Sequence, residues 1–315
     1  MTSCLLCGSE NTLIISKVDS RKIVRMYSKT FKASFASLFK DADEIHLIEC
    51  HSCGLRFYDP QVVGDEDFYS VLQKMDFYYR KEKEEYTHAA QFISKNDMVL
   101  DVGCGSGEFK KYTSTANFTG LEFSNEAMQK GIQNGCNILR QSIEEHSASN
   151  SNKYDAVTAF QVLEHVPNIS SFLKSCAHCV KPGGKLIIAV PSDESYLRFS
   201  ANAILNMPPH HISRWSNKAL KSIATITNFK LVRIFHDNMD DLHKKSYFLN
   251  LVERCLPFRN GDDNKLIDDG LVRKIRMKIA EIIANRMLKV CSHPAWQGKG
   301  QNVTAVFQKS PEDFL

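Results

Sequence analysis

Short apolar runs of strand length alternate with stretches of helical period along most of this chain. Met98 to Val102, Phe118 to Glu122, Asn137 to Ser142, Tyr154 to Phe160 and Lys185 to Val190 each read as a strand. Helices fit between them, one from Asn125 and one running through Phe172 and Cys179. Ser216 to Thr225 reads as a further helix, and Phe229 to Phe235 and Asn302 to Gln308 as two more strands. This alternation predicts an α/β fold, a parallel sheet covered by helices on both faces. Upstream, Ser28 to Lys40 places Phe31, Phe35 and Phe39 four apart, which predicts a helix over that segment. Phe68, Tyr69, Phe77, Tyr78 and Tyr79, followed by the charged run from Arg80 to Glu85, predict a helical connector over 61–95 that packs on the next domain or lids a ligand.

The segment at about 240–292 is larger than a hairpin needs. Tyr247 to Leu256 and Leu271 to Val290 read as helices. In the second, Ile275, Ile279, Ile282 and Ile283 follow the helical period, with Arg286 and Lys289 on other faces. That pattern fits either a helix packed on the domain or a basic amphipathic helix meeting a membrane surface or a lipid-linked substrate.

Composition narrows the class. The 315 residues are 43% hydrophobic and 24% charged, enough apolar surface for a real core. The formal net charge of +4 gives no strong case for nucleic acid or an anionic membrane. The start, Met1-Thr2-Ser3-Cys4, lacks a basic region followed by an apolar run, so a cytoplasmic protein is expected. Ten cysteines include two matched knuckles, Cys4-Leu-Leu-Cys7-Gly8 and Cys50-His-Ser-Cys53-Gly54. Four thiolates from two such turns make a closed tetrahedral zinc site of the ribbon type, within a module over residues 1–60. A closed site is a structural staple. Between Met1 and Pro60 eight Lys/Arg face seven Asp/Glu, which is no basic footprint for RNA. Cys176 and Cys179 lie in a helical pattern without a glycine turn and read as buried free thiols.

Val99 to Gly107 (Val-Leu-Asp-Val-Gly-Cys-Gly-Ser-Gly) is a strand that ends in a glycine turn, the start of a nucleotide-type site. Glu108 occupies the place of the third dinucleotide glycine and would set a carboxylate beside a pyrophosphate. No Gly-Lys-Ser/Thr closes a P-loop. A cationic ligand without phosphate suits Asp101, and Glu122 falls where a carboxylate can accept hydrogen bonds from ribose hydroxyls.

As a set, Asp-Val-Gly-Cys-Gly-Ser-Gly, Gly120-Leu-Glu-Phe-Ser124, Gln161-Val-Leu-Glu-His-Val166 and Val180-Lys-Pro-Gly-Gly184 resemble the class I S-adenosylmethionine-dependent methyltransferases over about residues 90 to 235. The resemblance implies a Rossmann-like seven-stranded sheet with the last strand antiparallel, over 96–315. It implies that Gly103 and Gly105 line the methionine part of S-adenosylmethionine and Glu122 the ribose. Phe123, Ser142 and Ile143 would meet the adenine, and Gln161 the sulfonium end. An Asp is common at the adenine edge, where this chain has Gln141-Ser142.

On the acceptor side, Pro208-Pro-His-His-Ile-Ser-Arg-Trp-Ser216 follows the fifth strand. Together with the knuckles it resembles a bacterial subgroup associated with cell-surface polysaccharide or secondary metabolites. Histidine titrates near neutral pH, so either ring could serve as base for a hydroxyl acceptor. The resemblance implies His211 first and His210 second, with helix positioning the competing role. Trp296 is expected to border the pocket. The expected function is methyl transfer to a small-molecule or glycan hydroxyl. RNA methylation and sugar C- or N-methylation are the alternatives.

Overall fold

In the computed structural model, which describes residues 2–75, 83–257, 264–290 and 298–311, the chain forms two sheets. The N-terminal part runs β1 (Thr12–Asp19), α1 (Ser20–Phe31), β2 (Glu44–Cys50), β3 (Arg56–Asp59), α2 (Glu66–Gln73) and α3 (Glu84–Ala90). There follow β4 (Val99–Val102), β5 (Phe118–Leu121), α4 (Asn125–Gln133), β6 (Asn137–Leu139), α5 (Ile143–Ser147), β7 (Tyr154–Phe160), α6 (Ile169–Cys179) and β8 (Val180–Pro191). The chain ends with β9 (Ser213–Arg214), α7 (Asn217–Thr227), β10 (Phe229–His236), α8 (Asp241–Cys255), α9 (Leu271–Val290) and β11 (Asn302–Lys309). Phe77, Tyr78, Tyr79 and Trp296 lie outside the described residues.

The large sheet has the order β10-β11-β8-β7-β4-β5-β6. β4 to β8 are parallel, and β11 is antiparallel to both its neighbours. Strands buried on both faces need continuous apolar runs, and β4 is buried at all four positions. The connections diverge at β4, with β5 on one side and β7 on the other. The crevice at that switch point, beyond the strand C-termini, is where an open α/β sheet takes its ligand.

Helix α1 corrects the reading of Ser28 to Lys40. It starts at Ser20, where Asp19 accepts from the Arg21 N–H, and stops after Phe31. Lys32 turns left-handed (φ 57°), and its N–H closes on the Ser28 carbonyl at 3.0 Å. A 3-10 turn over Ala36–Phe39 follows. Phe31, Phe35 and Phe39 are nonetheless buried in one cluster with Tyr27 and Phe68, so the apolar pattern reports burial while the backbone breaks. In α9 the isoleucine row is also misplaced as a packing face. The inward residues are Arg276, Ala280 and Ala284, which let α8 come close, and Arg276 pairs with Glu253 at 2.8 Å.

The small sheet, β1-β2-β3-β9, takes its last strand from the loop after β8. Phe57 pairs with Ser213 and Arg56 with Arg214. Beside this pairing, buried Asp193 lies 3.3 Å from Arg56, 3.6 Å from Arg214 and 3.7 Å from Arg198. Arg56 also pairs with Glu49 at 2.7 Å. Removing the shared carboxylate would leave two buried guanidinium groups facing each other. Asp193→Ala is therefore expected to cost about 3–5 kcal/mol of stability, read as a drop in the denaturant midpoint. An unchanged midpoint would show that the charge cluster does not join the two sheets.

Candidate active site

The glycine turn after β4 is held from two sides. Gly103 (φ 69°) has no room for a side chain, since a Cβ there would stand 2.5 Å from Val162. Gly105 (φ 54°) faces open space, with nothing within 4 Å of its Cβ position. The Gly105 N–H donates to Glu122 Oε2 at 2.9 Å. Glu122 Oε1 accepts from the N–H groups of Phe123 at 2.8 Å and Ser124 at 2.7 Å. The carboxylate expected at the ribose thus also clamps the turn to the end of β5. Phe123 beside it is 60% exposed and is not core, which leaves its ring free to meet a flat ligand.

Asp101 lies under the turn, buried, with Oδ1 accepting from the Thr158 hydroxyl at 2.8 Å. Burial pushes its carboxyl up to about 7 against the pull of that hydrogen bond. At the end of β7, Gln161 is left-handed (φ 57°), and its N–H donates to the Ala189 carbonyl at 2.8 Å. Its buried amide nitrogen Nε2 has no hydrogen-bond partner among the described residues. A left-handed non-glycine residue with an unsatisfied buried donor, at the C-terminal end of a sheet strand, is a candidate functional position. The open face at Gly105, the bared Phe123 ring and the waiting Gln161 amide fit a nucleoside with a polar tail. Ser142 and Ile143 have local duties. Ser142 caps α5 in a reciprocal pair with Glu145, and Ile143 is buried in the main core.

His210 and His211 meet a third ring, His165, from the turn after β7. The ring centroids are 4.4 Å apart for His210 and His211, 4.7 Å for His165 and His210, and 5.0 Å for His165 and His211. Hydrogen bonds set the tautomers. His165 Nδ1–H donates to the His210 carbonyl at 2.5 Å, and His210 Nδ1–H to the Leu205 carbonyl at 2.8 Å. Both rings therefore carry their lone pair on Nε2. His211 is the reverse. Both neighbours of the Asn206 amide are satisfied when its oxygen accepts from Arg214 Nη2 at 2.6 Å and its nitrogen donates to His211 Nδ1 at 3.3 Å. The proton of His211 then sits on Nε2.

Burial keeps all three rings neutral. It pulls His165 to about 4 and His210 to about 3, and His211 well below its ordinary value. Glu164, equally buried, is pushed up to about 8 by desolvation, and its Oε1 lies 3.7 Å from His165 Nε2. Tyr69 from α2 closes over the cluster, its hydroxyl 3.3 Å from His165 Nδ1. Glu164, Asn206 and Arg214 were not singled out from sequence. Only Glu164 had a signal, its place next to a histidine after the fourth strand.

The four knuckle cysteines converge. Cys4 and Cys53 sulfurs are 3.5 Å apart, and those of Cys7 and Cys50 3.7 Å. Four sulfurs at about 2.3 Å from one zinc ion stand about 3.8 Å from each other, so the cluster fits a zinc ribbon. The second knuckle is tied to α7, because Ser216 Oγ donates to the Gly54 carbonyl at 2.9 Å and Lys218 Nζ to the His51 carbonyl at 2.6 Å. Cys176 and Cys179 are buried in the core as free thiols.

A family profile described as a methyltransferase domain matches residues 76–234. Among curated proteins, a ubiquinone biosynthesis O-methyltransferase of Cronobacter sakazakii is 39% identical over 101 residues, 29% of this chain and 41% of that protein. One of Proteus mirabilis is 31% identical over 157 residues, 46% of this chain and 64% of that protein. The chain spans about half the length of the curated relatives it matches. The solved structure of a SAM-dependent methyltransferase from Archaeoglobus fulgidus superimposes with a TM-score of 0.51 at 18% identity, over 76% of this chain and all of that one, a likeness of fold. With the profile spanning half of the chain, and within it the glycine turn, Glu122 and Gln161, this protein belongs to the class I S-adenosylmethionine-dependent methyltransferases.

Proposed function

We propose that the protein methylates a hydroxyl of a small molecule or glycan. The observation that carries this reading is the cluster of three buried imidazoles, in which His210 and His211 from the loop after β8 meet His165, four residues beyond Gln161 in the chain. When bound, S-adenosylmethionine supplies an electrophilic methyl group on a sulfonium. Gly103 and Gly105 admit its tail, Glu122 holds the ribose, and Phe123 covers the adenine, with Ser142 and Ile143 shaping that edge. Asp101 and Gln161 face the charged end. The names of the curated relatives support a hydroxyl acceptor.

What remains for the protein is to place the acceptor oxygen and take its proton. His210 has its lone pair on Nε2, the nitrogen that would take the proton, and because burial pulls the ring to about 3 that uptake requires compensating charge at the moment of transfer. His211 suits orientation, because Nε2–H can donate to the acceptor oxygen. This reverses the order expected from sequence, where His211 came first. Glu164, near His165 and protonated at neutral pH, would have to release its own proton to offset charge arriving on the rings. The cysteine cluster holds a structural zinc ion with no open position, and through Ser216 and Lys218 it steadies the acceptor loop.

Three outcomes test the proposal. With labelled cofactor and fractionated cell extract, label should enter small-molecule or glycan fractions. His210→Ala should lower kcat about 10²–10⁴-fold while cofactor affinity measured by calorimetry holds. Glu122→Ala should instead weaken that affinity about tenfold or more. Label in RNA alone, or full activity in His210→Ala, overturns the assignment.

Stability should also depend on pH in a definite direction. The imidazoles are depressed from 6.5, so the unfolded chain binds more protons from about pH 4 to 6.5, and stability falls as pH drops through that window. The carboxyls of Asp101 and Glu164 are raised from 3.8 and 4.5, so the folded chain binds more protons up to about 7 and 8, and stability falls as pH rises through that range. Above pH 6.5 only the carboxyl effect remains. The melting temperature should decline between pH 6.5 and 8, and Glu164→Gln should flatten the decline. A wild-type melting temperature that holds or rises there contradicts the buried neutral carboxyls.

Metal analysis of the purified chain should return one zinc per molecule, lost in Cys50→Ser. Zinc retained by that variant would place the ion elsewhere.

A further inference from the structure

The outward face of α9 takes no part in the methyl-transfer site. Leu271, Val272, Ile275, Ile279, Ile282, Ile283 and Val290 are all exposed on it, with Ile275 at 52%, Ile279 at 43% and Ile282 at 59%. At 100° per residue these side chains fall in one sector of the helix, and Arg276, Ala280 and Ala284, which face α8, fill the sector next to it. Lys274 and Lys278 border the sector, and Arg286 and Lys289 lie within it. All four are exposed. From Leu271 to Val290 six Lys/Arg face one acidic residue, Glu281. Glu281 is paired with Lys245 at 2.8 Å, and Arg276 with Glu253.

We propose that this face seats the protein on an anionic bilayer surface. Branched apolar side chains reach below the headgroups while the flanking lysines and arginines meet lipid phosphates. A second copy of the chain suits the face less well. A 20-residue helix is about 30 Å long and about 10 Å wide, so its outer face is on the order of 300 Å², against about 800 Å² per partner in a stable interface. Two such faces would also bring basic borders together. No helix among the described residues is long and apolar enough to cross a membrane. The binding is therefore peripheral.

The placement bears on the acceptor. Arg254 of α8 stacks 3.5 Å over Phe199, and Arg273 of α9 donates to the Ala201 carbonyl at 3.2 Å. Asn202 and Asp268 exchange hydrogen bonds at 2.9 and 2.8 Å. The α8–α9 hairpin is thus fastened to the loop after β8, at the end of the sheet that carries the crevice. A bilayer on α9 lies on the acceptor side, which suits an amphiphilic acceptor held in the membrane. The docking itself stands whether or not the methyltransferase reading holds.

The test is co-sedimentation of the full, metal-loaded chain with vesicles. Mixed phosphatidylglycerol–phosphatidylcholine vesicles should retain the protein, added salt should weaken retention, and pure phosphatidylcholine should retain little. Ile275→Asp combined with Ile279→Asp should lower retention about tenfold or more with an unchanged melting temperature, since both positions are exposed. Lys274→Ala with Lys278→Ala should lower retention on the anionic vesicles alone. Failure to bind anionic vesicles overturns the proposal, as does equal binding by the Ile275/Ile279 variant. A wild-type dimer that this variant splits into monomers overturns it too, and assigns the face to a second copy. Methyl-transfer activity is not the readout, so a wrong acceptor class leaves the outcome legible.

Discussion

The pairing of β9 with β3 is the constraint on which the position of the histidine cluster depends. A loop leaving β8 would ordinarily hang free above the sheet. Here Ser213 and Arg214 are taken up as the edge of a different sheet, and the Ile212 N–H is fixed to the Glu164 carbonyl at 2.9 Å. The loop is thereby tied at both faces, to the small sheet through the β9 ladder and to the turn after β7 through Glu164. His210 and His211 immediately precede these anchors and have little choice of position. Asp193 reinforces the same junction electrostatically, with Arg56 from β3 and Arg214 from β9 sharing its carboxylate.

Desolvation then decides the chemistry. Three imidazoles and a carboxyl, packed under Tyr69 and the Pro208–Pro209 turn, cannot all carry their ordinary charges. The rings are driven neutral and Glu164 is driven towards protonation. The tautomers follow from which carbonyl or amide each Nδ1 meets, and those partners come from residues 205, 206 and 210 itself. The cluster is thus a set of fixed donors and acceptors whose polarity is built in by backbone geometry.

Much of the large sheet was legible because parallel strands must be apolar along their whole length, and β7 matches its expected bounds, Tyr154 to Phe160. The glycine turn and the carboxylate that closes on it were legible because they are local, one after a strand and the other after the next. The second role of Glu122, as acceptor for the Gly105 N–H, was not, since it needs the register of β4 against β5. The run Phe31, Phe35, Phe39 predicts burial correctly and helix wrongly, because a four-residue spacing cannot register a single left-handed residue at Lys32. The isoleucines of α9 mislead for a different reason. Periodicity shows that apolar side chains share a face, but it does not say which face is covered, and here the alanines are the packed ones.

The acceptor side resisted reading because it is non-local. Tyr69 and His165 stand beside the His210 ring from two other stretches of chain, and Asn206, held by Arg214, sets the His211 tautomer. The cysteine knuckles belong to the same construction. The carbonyls of Gly54 and His51, at the second knuckle, receive hydrogen bonds from Ser216 and Lys218, so the ribbon holds the chain just beyond β9. A module that reads in sequence as an independent staple is, in the folded chain, one wall of the mounting for the loop that carries His210 and His211. The cluster fits a closed zinc site, and a sulfur cage of that kind would transmit position without adding reactivity.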